Sequence, residues 1–239
     1  MPVPEYYESE NIVNLRDLGG IPCRGGFTAK GMAFRCGMPR QPTEKDCALL
    51  KSLGIRTIID LRGIKEAAVM PSAFLGRDDF DYYHFSLLEA NPSLNSTEFP
   101  LWNLYSLSLK DYGKNYANVL RLIGNLDEPF LFHCFLGKDR TGVLSAALLS
   151  ASGASRNDII ENYSVSFDRL QKFLEREIAA RTGLIWEQDI SRLKSERKTM
   201  EKFLEFVDGK YGGFDGYFRH IGLSDQEINN IGKTMTGRK

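Results

Sequence analysis

Residues 129–149 read PFLFHCFLGKDRTGVLSAALL. The first five, PFLFH, form a short apolar run opened by proline, the pattern of a strand buried on both faces. From Arg140 to Ala151 the residues Val143, Leu144, Ala147, Leu148 and Ala151 recur at helical spacing and predict a helix with a buried stripe. Between them lie His133, Cys134, Lys138, Asp139 and Arg140. A turn that feeds a helix N-terminus points several backbone N–H groups into one concavity, and the helix dipole adds positive potential there. Strand, loop and helix together therefore predict an anion site.

Working outward, the same alternation recurs. PTEKDCALLKSLG carries Thr43, then Asp46 three residues on, and ends at Gly54, which are the start and stop signals of a helix. The β-branched run IRTIID follows as a buried parallel strand. Residues 11–37 are glycine-rich and predict short strands joined by turns, and DYYHFSL predicts a further strand. Residues 86–108, with Trp102 and Tyr105 among Ser, Asn and Pro, read as a loop before a helix from Asp111 to about Ile123. The fold class expected is α/β, a central mainly parallel sheet flanked by helices. From Ser155 onward the apolar spacing is helical throughout, so residues 155–239 are expected to be a helical part packed on or covering the core of one domain spanning 1–239. The charged stretch from Ser164 to Lys202 reads as an outer layer or as a lid.

Composition narrows the partners. The 239 residues include 31 Lys plus Arg and 31 Asp plus Glu, and no dense basic run appears, so nucleic acid is not expected as a partner. No stretch approaches the roughly eighteen apolar residues of a membrane helix, and MPVPEYYESENIVN lacks a basic region followed by an apolar one. A cytoplasmic location without a transmembrane segment is expected. Cys23, Cys36, Cys47 and Cys134 form no CxxC pair and sit near no histidine cluster, so they read as free thiols and no metal or other cofactor is expected.

Of the four cysteines, Cys134 alone is followed six residues later by an arginine; Cys23, Cys36 and Cys47 meet Ala29, Pro42 and Leu53. The field at a helix N-terminus stabilises a thiolate, which makes a cysteine there a nucleophile. Arg140 offers a planar, permanently charged fork for two phosphate oxygens. The backbone amides of Phe135, Leu136, Gly137, Lys138, Asp139 and Arg140 are expected to bind the phosphate, with Gly137 allowing close approach or a positive φ. Lys138 adds a charge suited to a multiply phosphorylated ester, Thr141 can donate a hydroxyl to the thiolate, and His133 can orient the loop.

HCFLGKDRTG resembles the signature loop of cysteine-dependent protein tyrosine phosphatases, in the form found in the bacterial and fungal tyrosine phosphatase family that also includes phosphoinositide-active members. NLRDLGG (14–20), AFRCG (33–37) and IIDLR (58–62) resemble further motifs of that family, the second departing at Cys36, where serine is usual; KYGGFDGYFRHIGLSDQEI resembles its closing helices. The resemblance implies attack of Cys134 on phosphorus, a phosphocysteine, and its hydrolysis by water. The substrate expected is a phosphotyrosine protein or small phosphoester. A phosphoinositide is the alternative, as in phosphatases with a lysine at the place of Lys138. Rhodanese-like or arsenate-reducing thiol chemistry, and a non-catalytic phosphate-binding module, are the competing classes.

Two carboxyls compete as proton donor to the leaving group. Asp139 lies in the loop. Asp60 ends the strand TIID, and parallel strands would open both C-terminal ends on one sheet edge. Glu89, Glu98 and Asp111 are more distant candidates. Arg16 and Asp17, next to a glycine pair, read as a turn brace.

Overall fold

The computed structural model describes residues 5–89, 99–180 and 190–238. Five strands form the main sheet: β1 (Arg16–Asp17), β4 (Ala33–Gly37), β5 (Thr57–Asp60), β6 (Asp81–His84) and β7 (Phe130–Cys134). Their order is β1-β4-β7-β5-β6, with β1 antiparallel to β4 and every other pair parallel. A small hairpin of β2 (Pro22–Cys23) and β3 (Gly26–Phe27) stands beside it. The mixed α/β class with a mainly parallel sheet is thus as the sequence predicts.

Each residue of β4, β5 and β7 is buried, which explains why those segments read as continuous apolar runs. Alternation divides them between two cores. Phe34, Ile58 and Leu131 pack with Cys47 and Leu50 of α1 (Glu44–Ser52) on one face. Ala33, Ile59, Phe130 and Phe132 join the larger core on the other. There they meet α3 (Leu101–Asp111), α4 (Gly113–Gly124) and α5 (Asp139–Ser152).

Helix α1 begins as the sequence predicts: Thr43 accepts from the Asp46 amide and the Asp46 side chain accepts from the Thr43 amide, a reciprocal capping box. The stretch around Trp102 and Tyr105 differs. It is helix α3, not loop, and the helix expected from Asp111 is a separate one, α4. Residues 90–98 of the loop expected at 86–108, with the candidate Glu98, lie outside the described residues. After α5 come α6 (Arg156–Ser164) and α7 (Ser166–Ala179), parted at Val165, then the short α8 (Ile190–Leu193) and α9 (Arg197–Tyr211). Helices α10 (Phe214–His220) and α11 (Asp225–Thr236) follow, and α11 packs against both α4 and α5. Among the described residues no helix is long and apolar enough to cross a membrane.

Candidate active site

Cys134 is the last residue of β7 and only 2 % exposed, and α5 starts five residues later at Asp139. The loop between them is held by its carbonyls. The Asn14 side-chain amide donates to the carbonyls of Leu136 (3.2 Å) and Gly137 (3.1 Å), Arg35 Nη2 donates to Gly137 O at 2.7 Å, and the Met38 amide donates to Phe135 O at 2.9 Å. Among the described residues the amides of Phe135 through Arg140 donate to no protein acceptor. Six such N–H groups at a helix N-terminus are suited to holding an anion. Gly137 has φ +67°, and a Cβ there would lie 2.2 Å from the Cys36 carbonyl oxygen, so the turn requires glycine on two counts.

Arg140 sits in the first turn of α5. Its Nη1 and Nη2 reach the two Glu66 carboxylate oxygens at 2.6 and 3.3 Å. Burial alone would weaken the charged form, but the Cys134 sulfur and the Glu66 carboxylate beside it hold the guanidinium above its ordinary value. Glu66 belongs to α2 (Ile64–Val69), whose N-cap, Gly63, has no side chain; Glu89 accepts from the Ile64 amide at 2.5 Å and the Lys65 amide at 3.4 Å in its place. Glu89 is therefore a helix cap. Asp111 closes the C-terminal end of α3.

Asp139 remains partly exposed, at 29 % of its side chain. Tyr105 Oη donates to its Oδ1 at 2.5 Å, and Lys138 Nζ lies 3.3 Å from the same oxygen. Oδ2 has no protein partner among the described residues. Burial and the Asp139 charge push the Tyr105 phenol well above its ordinary value, which keeps it a donor. Lys138, which the sequence offers as a magnet for extra phosphates, is 1 % exposed. Its ammonium donates to the carbonyls of Arg192 (2.6 Å) and Lys194 (3.4 Å).

Asp60 stands elsewhere. In register it pairs with His133, not Cys134, so it shares the His133 face of the sheet and Cys134 points to the opposite one. Its carboxylate is fully buried, takes Arg62 Nη2 at 2.7 Å and Nε at 3.0 Å, and accepts from Tyr82 Oη at 2.9 Å. Burial alone would raise its pKa, but His133 and Arg62 overcome this and hold it far below the usual carboxylate range. The parallel strands do end on one edge, yet the pleat separates the two side chains. His133 Nδ1 lies 3.3 Å from the Cys134 carbonyl oxygen and 3.9 Å from Asp60, while its Nε2 and the Thr141 hydroxyl are buried and, among the described residues, have no partner.

With this geometry in place, comparison with known proteins decides the family. The model of the tyrosine phosphatase family matches residues 7–237. The chain belongs to that family. A tyrosine-protein phosphatase of Nostoc commune is 30 % identical over 202 residues, covering 79 % of this chain and 69 % of the relative. The triple specificity protein phosphatase PtpB of Mycobacterium tuberculosis is 29 % identical over 257 residues, covering 87 % of this chain and 91 % of its own. The solved P. aeruginosa TpbA shares 14 % identity, with coverage of 82 % and 90 % and a TM-score of 0.37.

Four side chains that shape the loop of this phosphatase escaped the sequence reading: Glu66, Asn14, Arg35 and Tyr105. Asn14 and Arg35 lie inside the quoted NLRDLGG and AFRCG stretches, so the signal was present without an assigned role. Tyr105 falls in the stretch read as a loop, and its hydroxyl contact appears only once α3 is placed. Nothing local in IKEAAV marks Glu66 as the partner of an arginine 74 residues away.

Proposed function

We propose that this phosphatase hydrolyses phosphotyrosine in proteins or peptides, with Cys134 as nucleophile. The observation that carries the reading is the run of six amides from Phe135 to Arg140, immediately after the Cys134 strand end, that meet no protein acceptor among the described residues. Those amides and the Arg140 guanidinium bind the phosphoryl oxygens and stabilise their charge in the transition state. Cys134 Sγ attacks phosphorus as the bond to the tyrosyl oxygen breaks. Asp139 gives that oxygen its proton through Oδ2, the carboxyl oxygen left clear of Tyr105 and Lys138. Asp139 then takes a proton from water as it attacks the phosphocysteine, and inorganic phosphate leaves with Cys134 regenerated. His133 supports the loop at the Cys134 carbonyl, the expected bond from the Thr141 hydroxyl to the Cys134 sulfur is not formed, and Asp60 with Arg62 braces the neighbouring strand end.

Lys138 favours the monophosphate ester over a phosphoinositide, because its ammonium is spent on the Arg192 and Lys194 carbonyls. The test is a substrate panel of phosphotyrosine, phosphoserine and phosphothreonine peptides and soluble phosphoinositides, run with the parent protein and Cys134→Ser. Turnover of the phosphotyrosine peptide by the parent, with none by Cys134→Ser, is expected. A strong preference for the lipid would move the assignment to phosphoinositides, and turnover surviving in Cys134→Ser would refute the nucleophile.

A further inference from the structure

Arg16 and Arg35 carry positive charge into the interior, and neither has an obvious use in the scheme above. Both are 0 % exposed. Arg35 Nη1 donates to Asn162 Oδ1 at 2.8 Å and Nη2 to Gly137 O at 2.7 Å. Arg16 Nη2 donates to Asn162 O at 2.9 Å and Ser166 Oγ at 3.0 Å, and Nη1 to the carbonyl and side-chain oxygens of Asn14, which itself holds the loop. All these acceptors are neutral. Among the described residues neither guanidinium meets a carboxylate, and Nε of each is buried without a partner.

Arginine stays protonated in proteins, so this is two units of charge placed in low dielectric with no carboxylate among the described residues to balance them. The ionisable groups facing Arg16 are Tyr6, Arg169 and Cys36; those facing Arg35 are Arg16, Cys134, Tyr6 and Tyr163. Burial pushes both guanidiniums below their ordinary value, Arg16 adds to this at Arg35, and the Cys134 sulfur opposes it. Cys36 is held as a thiol by its burial. Among the described residues, the groups left to balance the pair are the Cys134 sulfur, which faces Arg35, and a phosphoryl group bound in the loop.

The geometry points to Arg16 and Arg35 as a charge-positioning pair for the phosphate loop: they brace its carbonyls and supply, from beneath, positive charge that the nucleophile and the bound phosphoryl group neutralise. The assignment extends the motif arginine of NLRDLGG from a turn brace to a part of the anion site, and it rests on the phosphatase reading of Cys134. An attractive field from buried cations acts at short range and is little screened by salt. A brace alone would need the fork of hydrogen bonds but not the charge.

Tungstate, a phosphate-shaped oxyanion, separates the two roles when its binding is measured by calorimetry on the parent protein, Arg35→Met and Arg35→Lys. Arg35→Met is expected to weaken tungstate by about tenfold or more, whereas Arg35→Lys, which keeps charge and loses the fork, stays within about threefold of the parent. Equal affinity in Arg35→Met, or an equal loss in Arg35→Lys and Arg35→Met, would overturn the inference. Should Arg35→Met fail to fold, Arg35→Lys and Arg16→Lys carry the test, and a loss of about tenfold in either would assign bracing in place of charge. A parent protein that does not bind tungstate would instead count against the phosphatase site itself.

Discussion

Two aspartates that sequence alone leaves as rivals have opposite surroundings, and their variants should behave in opposite ways. Asp139→Asn removes a proton donor beside the loop, so hydrolysis of phenyl phosphate, whose leaving group needs a proton, should fall by about 10²–10⁴-fold. p-Nitrophenyl phosphate, with a leaving group that departs as an anion, should lose much less; equal losses for both esters would deny Asp139 the role. Asp60→Asn instead strips Arg62 of a buried counter-charge and should destabilise the fold by about 3–5 kcal/mol in a urea titration. The sign with pH follows. Because the folded Asp60 titrates below its ordinary range, its contribution is fully present above about pH 4 and is lost as the pH falls toward the folded value. Urea midpoints from about pH 5 to pH 2.5 should show that loss in the parent protein, with a shallower slope in Asp60→Asn.

At the scale of elements, the strands and α1 were legible because burial on both faces and a capping box leave local marks. Helix α3 was not. Its serines look like loop residues, but the Ser106 hydroxyl donates back to the Trp102 carbonyl at 2.9 Å within the helix, and the Ser108 hydroxyl donates to Leu87 O at 2.5 Å. Both satisfy polar groups that composition alone assigns to water. The nearness of strand ends was also legible, whereas the face on which Asp60 emerges depends on register, which no single strand's sequence states. Helix α2 illustrates coupling between elements: Glu89 caps it from another segment while its own Glu66 holds Arg140. Glu89→Ala should therefore cost about 1 kcal/mol of stability and also lower kcat/KM severalfold through a displaced Arg140. Paired thermal melts and steady-state kinetics check this, and a stability loss with unchanged kcat/KM would uncouple α2 from the site.

Across the whole molecule, the loop is rigid because layers on both sides of the sheet fix its strand and its helix. Helix α11 belongs to that support: Ile231 is fully buried in the larger core, where α11 lies on α4 and α5. Ile231→Ala should lower stability by about 2–5 kcal/mol by leaving a cavity. At temperatures well below its melt, the variant should keep the parent's kcat/KM, since α11 packs on α4 and α5; a matching loss of activity would show that α11 tunes the loop as well as the fold. The late strand β7 lies between β4 and β5, which do not pair with each other. A nascent chain that has reached residue 128 thus holds two central strands with no partner on their inner edges, and sheet closure waits for a segment about 70 to 95 residues downstream of them. The segment that completes the sheet is the one ending in Cys134, so closure of the sheet and placement of that cysteine at the head of its loop are a single late event in folding.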